Sequence, residues 1–253
     1  MQSKPIWSYI RFGTTIRYLQ DVKENWSVHG GGYVLENINS FFEALNEFDL
    51  PVTKRAAGPL EKFRYELEKS DPQHKLTSDE ASRLSKVMND LRFTLTAETK
   101  GNVAFIVTDK RIDVDKLLSS VSALMAPGVF DKLPDIARYD FIEAGKCIAF
   151  ELPTSAAFHL LRGTEAVLRH YYCSFVRRGR VDLLWGPMVN SLRSRRSPPS
   201  APLLDNLDNI RRSFRNPTQH PDKIYDIHEV QDLFGLCVDV VNRMAASFAL
   251  PNA

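Results

Sequence analysis

Hydrophobic residues recur every three to four positions along most of the chain, and this spacing predicts a mostly α-helical protein. In the first half the pattern predicts helices over residues 5–26, 34–48, 54–69, 77–98 and 114–125. Thr77 and Glu80 have the spacing of a capping box, which fixes the start of the fourth of these helices. The glycines at positions 30–32 follow no strand and lack a Gly-Lys-Ser/Thr ending, so they predict a flexible turn rather than a phosphate-binding loop.

One short segment departs from the helical spacing. Residues 103–107 form a continuous apolar run dense in β-branched residues, which predicts a strand. A single strand cannot satisfy its own backbone groups, so we expect it to pair with an irregular neighbour or with a second chain. Pro127 and Gly128 end the following helix, and we place a domain boundary between about residues 127 and 134.

The two resulting domains differ in the chemistry they carry. Residues 1–130 are as apolar as a folded domain but contain no catalytic constellation, so we expect this N-terminal helical domain to be regulatory. Residues 131–253 predict a helical bundle, with helices over residues 134–150, 153–176 and 184–192 and two more around a bend at residues 214–221.

Two prolines shape that bend. Pro217 is expected to push Asn216 out of the helical region of backbone space, and the proline at position 221 acts in the same way on His220. Asp226 has the position of an N-cap for the last helix. Arg215 is therefore expected to end one helix, with His220 in the bend before the next.

Arg215 and His220 are the candidate catalytic pair. An arginine fork grips a phosphate, and a histidine transfers protons near neutral pH. The arginine would neutralise a scissile phosphate while the histidine acts as general base or acid on a ribose hydroxyl. RNA carries its own nucleophile, the 2′-OH, so this cleavage needs neither a metal nor another cofactor. The alternative is a turn whose arginine and histidine satisfy helix-end carbonyls.

The pattern R-x4-H at a helix junction, with asparagine after the arginine, resembles the catalytic motif of the HEPN superfamily of helical-bundle ribonucleases. Residues 135–147, which lead into residues 156–169, resemble the first two helices of many HEPN domains. The resemblance covers residues 133–253, about half of the chain. It implies a mostly α fold, in which a C-terminal HEPN-like helical bundle follows an N-terminal helical region with one short strand.

The resemblance also implies a function and an assembly. HEPN ribonucleases pair two bundles across a two-fold axis, so that two motif turns form one composite site. We therefore expect a homodimeric endoribonuclease that cleaves RNA, in antiviral defence, abortive infection or a toxin system, with an antitoxin or a phage-derived trigger as a possible further partner. The alternatives are a non-catalytic HEPN-like module that binds RNA or protein, and a structural helical adaptor. Nucleotidyltransferase-paired HEPN toxins carry a tyrosine two residues after the histidine, but Asp222 stands here, so control through that tyrosine is not supported.

Four further residues are candidates for the site. Glu165 borders an apolar face, where HEPN relatives often carry a polar residue that points to the active site, and its alternative is an ion pair with a neighbouring arginine. Asn216 would orient the histidine, donate to phosphate, or only adopt the turn conformation. Arg211 and Arg212 would contact RNA or coat a solvated face. The helix at residues 153–176 also carries two histidines for which a structural role is expected, His159 and His170.

Charge is concentrated in one stretch, although the formal net charge of +2 does not mark a nucleic-acid-binding protein. Residues 169–215 contain ten arginines and three acidic residues, a local excess of seven positive charges that suits a phosphate backbone. The alternative is a solvated loop rich in arginine.

The three cysteines are far apart and lie inside apolar helical patterns, which predicts buried free thiols and suits a reducing cytoplasm. There is no C-x-x-C and no ligand-spaced His/Cys cluster, so we predict no metal site. The N-terminus is not followed by the apolar run of a signal peptide, and no segment approaches the ~20 apolar residues of a membrane helix. We therefore expect a cytoplasmic protein with no membrane partner.

Overall fold

The protein is mostly α-helical, as the hydrophobic spacing predicts. The computed structural model describes residues 4–176, 184–219 and 223–248. Its internal packing divides the chain into two units, Met1–Ala104 and Phe105–Ala253. Within the described residues, none of the helices has the length and apolar character needed to cross a membrane.

The first unit is built from five helices among its described residues. They are α1 (Ile6–Gln20), α2 (Val34–Glu47), α3 (Pro51–Ala56), α4 (Gly58–Glu68) and α5 (Ser78–Thr99). The predicted helix at residues 54–69 is divided between α3 and α4, because Pro59 begins a new helix. The capping box is confirmed, since the Thr77 hydroxyl accepts from the Glu80 amide and the Glu80 carboxylate accepts from the Thr77 amide.

The strand predicted at residues 103–107 is wrong. Val103, Phe105 and Ile106 are 75–85% exposed, and no strand pairs with this segment among the described residues. The apolar run has the composition of a strand, but a strand forms only where a neighbouring chain segment offers its backbone groups. The described residues contain one isolated β-bridge elsewhere, between Ser27 and Lys75.

The described helices of the second unit are α6 (Val114–Ser119), α7 (Asp135–Ala149), α8 (Pro153–Val176), α9 (Trp185–Arg193), α10 (Ala201–Ile210), α11 (Asn216–Thr218) and α12 (Ile227–Ala245). Short 3₁₀ turns occupy Val121–Leu124 and Phe130–Lys132. Helix α8 packs against both α7 and α12. Asp226 caps α12 as predicted, because its carboxylate accepts from the amides of His228 and Glu229.

The unit boundary lies between Ala104 and Phe105, before the one placed near residue 130 from the sequence. Residues 111–126 are bound to α12: Ile112 N–H donates to Gln231 Oε1 at 3.1 Å, and Ala126 N–H donates to Asn242 Oδ1 at 3.1 Å. Four buried side chains of this region also join the core of the second unit, namely Leu117, Val121, Met125 and Val129. Pro127 and Gly128 therefore form a turn inside a packed unit rather than a linker.

The expected break before Pro217 does not occur, because Asn216 keeps right-handed helical angles, with φ −65° and ψ −50°. Arg211–Arg215 form a π-helical segment between α10 and α11, in which the Asn216 amide donates to the Arg211 carbonyl five residues back. A π-turn widens the helix and so accommodates the proline ring without clash. His220, for which a bend was predicted, lies outside the described residues.

The three cysteines are free thiols. Cys237 is fully buried, and burial raises the pKa of its thiol to about 12. The prediction of burial is therefore confirmed for Cys237, whereas Cys147 and Cys173 are only partly buried.

Candidate functional site

A buried tyrosine supports residues 214–219, which include the described part of the R-x4-H motif and which we call the motif segment. Tyr225 is 3% exposed, and its ring lies parallel to that of Phe214. The Thr218 hydroxyl donates to the Phe214 carbonyl at 2.6 Å, and the Tyr225 hydroxyl, which has one proton to donate, lies 2.6 Å from the Thr218 hydroxyl and 3.2 Å from the Phe214 carbonyl. Burial raises the pKa of Tyr225, so its hydroxyl keeps its proton near neutral pH. These bonds fix the backbone on both sides of Arg215.

Arg215 is tied to helix α8 through Glu165. Arg215 Nη2 lies 3.4 Å from Glu165 Oε2, and Arg169 Nη2 lies 2.8 Å from Glu165 Oε1. All three side chains are partly buried, with side-chain exposures of 24%, 17% and 34% for Arg215, Glu165 and Arg169. The ion pair with a neighbouring arginine, offered above as the alternative for Glu165, is therefore present, and the same carboxylate also contacts the motif arginine.

These residues line a cleft of about 390 Å³ on the second unit. Its walls come from α8 and from the end of the motif segment. The lining residues are Phe158, His159, Leu161, Arg162, Glu165, Ala166, Arg169, Arg215, Thr218 and Gln219. Three of these lining residues are arginines and one, Glu165, is acidic, so the cleft offers guanidinium groups to an anion.

A second charged cluster, which was not predicted from the sequence, adjoins the same cleft through His159 and Arg162. Asp140 on α7 is fully buried. Its Oδ2 accepts from Arg162 Nε at 2.8 Å, and its Oδ1 accepts from Arg162 Nη2 at 2.5 Å. His159 Nδ1 lies 2.8 Å from the same Oδ1. Hydrogen bonding to Asp140 raises the pKa of Arg162 and keeps it charged.

The sequence does contain a signal for Asp140. Helical spacing places it on the stripe of buried residues that includes Ala137 and Ala144. A carboxylate on a buried stripe needs a charged or hydrogen-bonded partner. Its partners, His159 and Arg162, lie on helix α8. The two helices approach closely at this point because Gly163 has no side chain, and a Cβ at Gly163 would lie 3.0 Å from the Asp140 Cβ.

Other predicted site residues lie elsewhere. Arg211 and Arg212 both pair with Asp208, at 2.8 Å and 2.6 Å, and neither is among the described residues that line the cleft. Partial burial acts to raise the pKa of Asp208, but the hydrogen bond from Arg211 and the charges of both arginines outweigh it and hold that pKa below its usual value. Asn216 is exposed and is likewise not a lining residue.

Some of the predicted chemistry falls outside the described residues, namely His220 and the arginines at positions 177, 178 and 180 of the arginine-rich stretch. Gln219, which precedes His220 in the sequence, lines the cleft. Within the described ranges, no group of three His, Cys, Asp or Glu side chains is arranged to hold a metal ion.

Comparisons with protein-family models, with curated proteins and with solved structures found no significant match to this chain.

Proposed function

We propose that this protein is a metal-independent endoribonuclease whose active site contains Arg215 and His220. The observation that supports this most is the position of Arg215, whose guanidinium lines a cleft together with Arg162 and Arg169. Guanidinium groups that the Glu165 and Asp140 carboxylates hold in place suit a phosphodiester, which is anionic and gains negative charge on its equatorial oxygens as it is cleaved.

The proposed reaction uses the nucleophile that RNA supplies. A base takes the proton of the 2′-OH, the 2′-oxygen bonds to phosphorus, and the bond to the 5′-oxygen breaks as that oxygen receives a proton. The products are a 2′,3′-cyclic phosphate and a 5′-hydroxyl. Arg215 neutralises the phosphate, and His220 transfers a proton. This assignment agrees with the R-x4-H pattern and its resemblance to HEPN ribonucleases, which act in toxin and antiviral systems.

A homodimer is part of this proposal. Large apolar side chains are exposed on α8, which forms a wall of the cleft, and on α7, which packs against it: Ile136, Tyr139 and Ile142 of α7 are 37–54% exposed, and Phe158 of α8 is 49% exposed. An isologous interface would bury this surface twice and bring two motif segments together. Arg215 of one chain would then act with His220 of the other.

The second candidate is a non-catalytic module that binds RNA or protein. It is favoured by the ion pair between Arg215 and Glu165, because such pairs also occur as purely structural links between helices. Both candidates bind an anionic ligand in the cleft, so binding alone does not separate them.

Incubation with total RNA in EDTA, beside the His220→Ala variant, separates the two. We expect the wild-type protein to fragment RNA and leave 2′,3′-cyclic phosphate ends, and the variant to leave RNA intact. RNA that carries 2′-O-methyl groups should resist, because its nucleophile is blocked. Binding without fragmentation would favour the non-catalytic module, and a strict requirement for Mg²⁺ would indicate a different mechanism.

A further inference from the structure

His159 lies in the same cleft as Arg215, and its orientation is fixed. Its side chain is 26% exposed, and its Nδ1 atom lies 2.8 Å from Oδ1 of the fully buried Asp140. The two oxygens of Asp140 also receive a fork of hydrogen bonds from Arg162. The edge of the Tyr139 ring packs against the imidazole, with ring centroids 6.3 Å apart.

These contacts determine the tautomer of the neutral imidazole. A carboxylate gripped by a guanidinium accepts hydrogen bonds and donates none, so His159 Nδ1 must carry the proton and donate it to Asp140. Nε2 then holds a free electron pair. Because His159 is a lining residue of the cleft, this nitrogen is available to a bound ligand.

We infer that His159 is the general base of the cleft and that Asp140 is the residue that positions it. This inference rests on the proposed cleavage of RNA. His159 Nε2 takes the proton of the 2′-OH as the 2′-oxygen bonds to phosphorus. The bond from phosphorus to the 5′-oxygen breaks, and His220 returns a proton to that oxygen. The Asp140 carboxylate stabilises the imidazolium that forms on His159.

Several charged and titratable groups either contact His159 or line the same cleft. Helix α7 contributes Tyr139 and Asp140, helix α8 contributes Arg162 and Glu165, and the motif segment contributes Arg215. The negative charge nearest to the imidazole is that of Asp140. The guanidinium of Arg162 is held by this same carboxylate, so Asp140 both orients the histidine and anchors a phosphate-binding group.

The test compares His159→Asn with His170→Asn. His170 lies on the same helix, is exposed and packs against Phe248 rather than lining the cleft, so it is a matched control. We expect His159→Asn to lower the rate of RNA cleavage by about 10²-fold or more and to remove the acid-side limb of the pH–rate profile. His170→Asn should keep the wild-type rate and profile. A His159→Asn protein within about threefold of the wild-type rate, with both limbs intact, would overturn the inference while leaving the proposed function in place.

An RNA in which sulfur replaces the 5′-oxygen at the cut site distinguishes the general base from the general acid. A thiolate leaves without receiving a proton, so this substrate should restore cleavage by His220→Ala, which lacks the acid, but not by His159→Asn, which lacks the base. The opposite pattern would overturn the assignment of His159 as base. Asp140→Asn should shift the acid-side limb of the profile, which a merely structural carboxylate would not do.

One measurement does not depend on any variant folding. Nitrogen NMR of the wild-type imidazoles should show the neutral form of His159 with its proton on Nδ1, and a nucleoside 2′-monophosphate should shift its Nε2 resonance. A proton on Nε2, or no response to the nucleotide, would refute the inference. A wild-type protein that never cleaves RNA would refute the proposed function and, with it, the role of His159.

Discussion

The guanidinium of Arg215 lies 3.4 Å from the carboxylate of Glu165, fifty positions earlier in the chain. This contact joins the motif segment to helix α8 and holds the motif arginine at the wall of the cleft. Since Glu165 also binds Arg169 at 2.8 Å, one carboxylate positions two guanidinium groups of the cleft.

Glu165→Gln tests this positioning role. The substitution keeps the shape of the side chain but removes the charge that orients Arg215 and Arg169, so we expect the cleavage rate to fall about tenfold because the phosphate-binding groups are misplaced. Glu143→Gln is the control, since Glu143 pairs with Lys146 on α7 and is not a lining residue of the cleft. Equal rates for both variants would show that Glu165 is only a structural partner of the arginines.

Tyr225→Phe tests whether the Tyr225 hydroxyl stabilises the motif segment. The variant keeps the ring against Phe214 but loses the hydroxyl that binds the Phe214 carbonyl and Thr218. We expect the free energy of unfolding to fall by about 1–2 kcal/mol, measured by urea denaturation, and the cleavage rate to fall with it. Unchanged stability would mean that these hydrogen bonds contribute little.

Gly145→Ala tests whether residues 105–130 belong to the second unit. A Cβ at Gly145 would lie 2.5 Å from the Leu117 carbonyl oxygen and 2.7 Å from Val121 Cγ2. We expect a loss of about 1–3 kcal/mol of stability from overpacking. Gly235→Ala is the control, because a Cβ there meets nothing within 4 Å, and alanine should raise stability by about 0.5–1 kcal/mol. If Gly145→Ala is as stable as the wild type, α6 does not pack on α7 in this way.

The proposed dimer is tested by mixing two inactive proteins. Arg215→Ala and His220→Ala chains are combined under conditions that allow subunit exchange. A mixed dimer contains one site with intact Arg215 from one chain and intact His220 from the other, so partial activity should return. A mixture that stays inactive, although light scattering shows exchanged dimers, would indicate that each chain carries a complete site.

The features that the sequence predicted best depend on neighbouring residues. The capping box of Thr77 and Glu80 and the Asp226 cap involve residues at most three positions apart, so their geometry follows from the local chain. The helical spacing of the core residues is local in the same sense, and most of the helices follow from it.

The features that the sequence missed depend on distant contacts. Residues 103–107 have the composition of a strand, but no strand partner exists for them among the described residues. Asn216 stays helical because a π-turn before it absorbs the effect of Pro217, which local preferences do not predict. Asp140 and His159 lie nineteen positions apart on two helices, and only the packing of those helices brings the two side chains together, with His159 lining the cleft.

The rate of cleavage of a labelled single-stranded RNA in EDTA, by the wild type and by Arg215→Ala and His220→Ala, is the most direct test of the proposed active site. The wild type should cleave and leave 2′,3′-cyclic phosphate ends. Each variant should be slower by about 10²-fold or more, with a cooperative thermal unfolding transition that shows the variant to be folded. Cleavage by either variant at the wild-type rate, or an inert wild-type protein, would contradict the proposal.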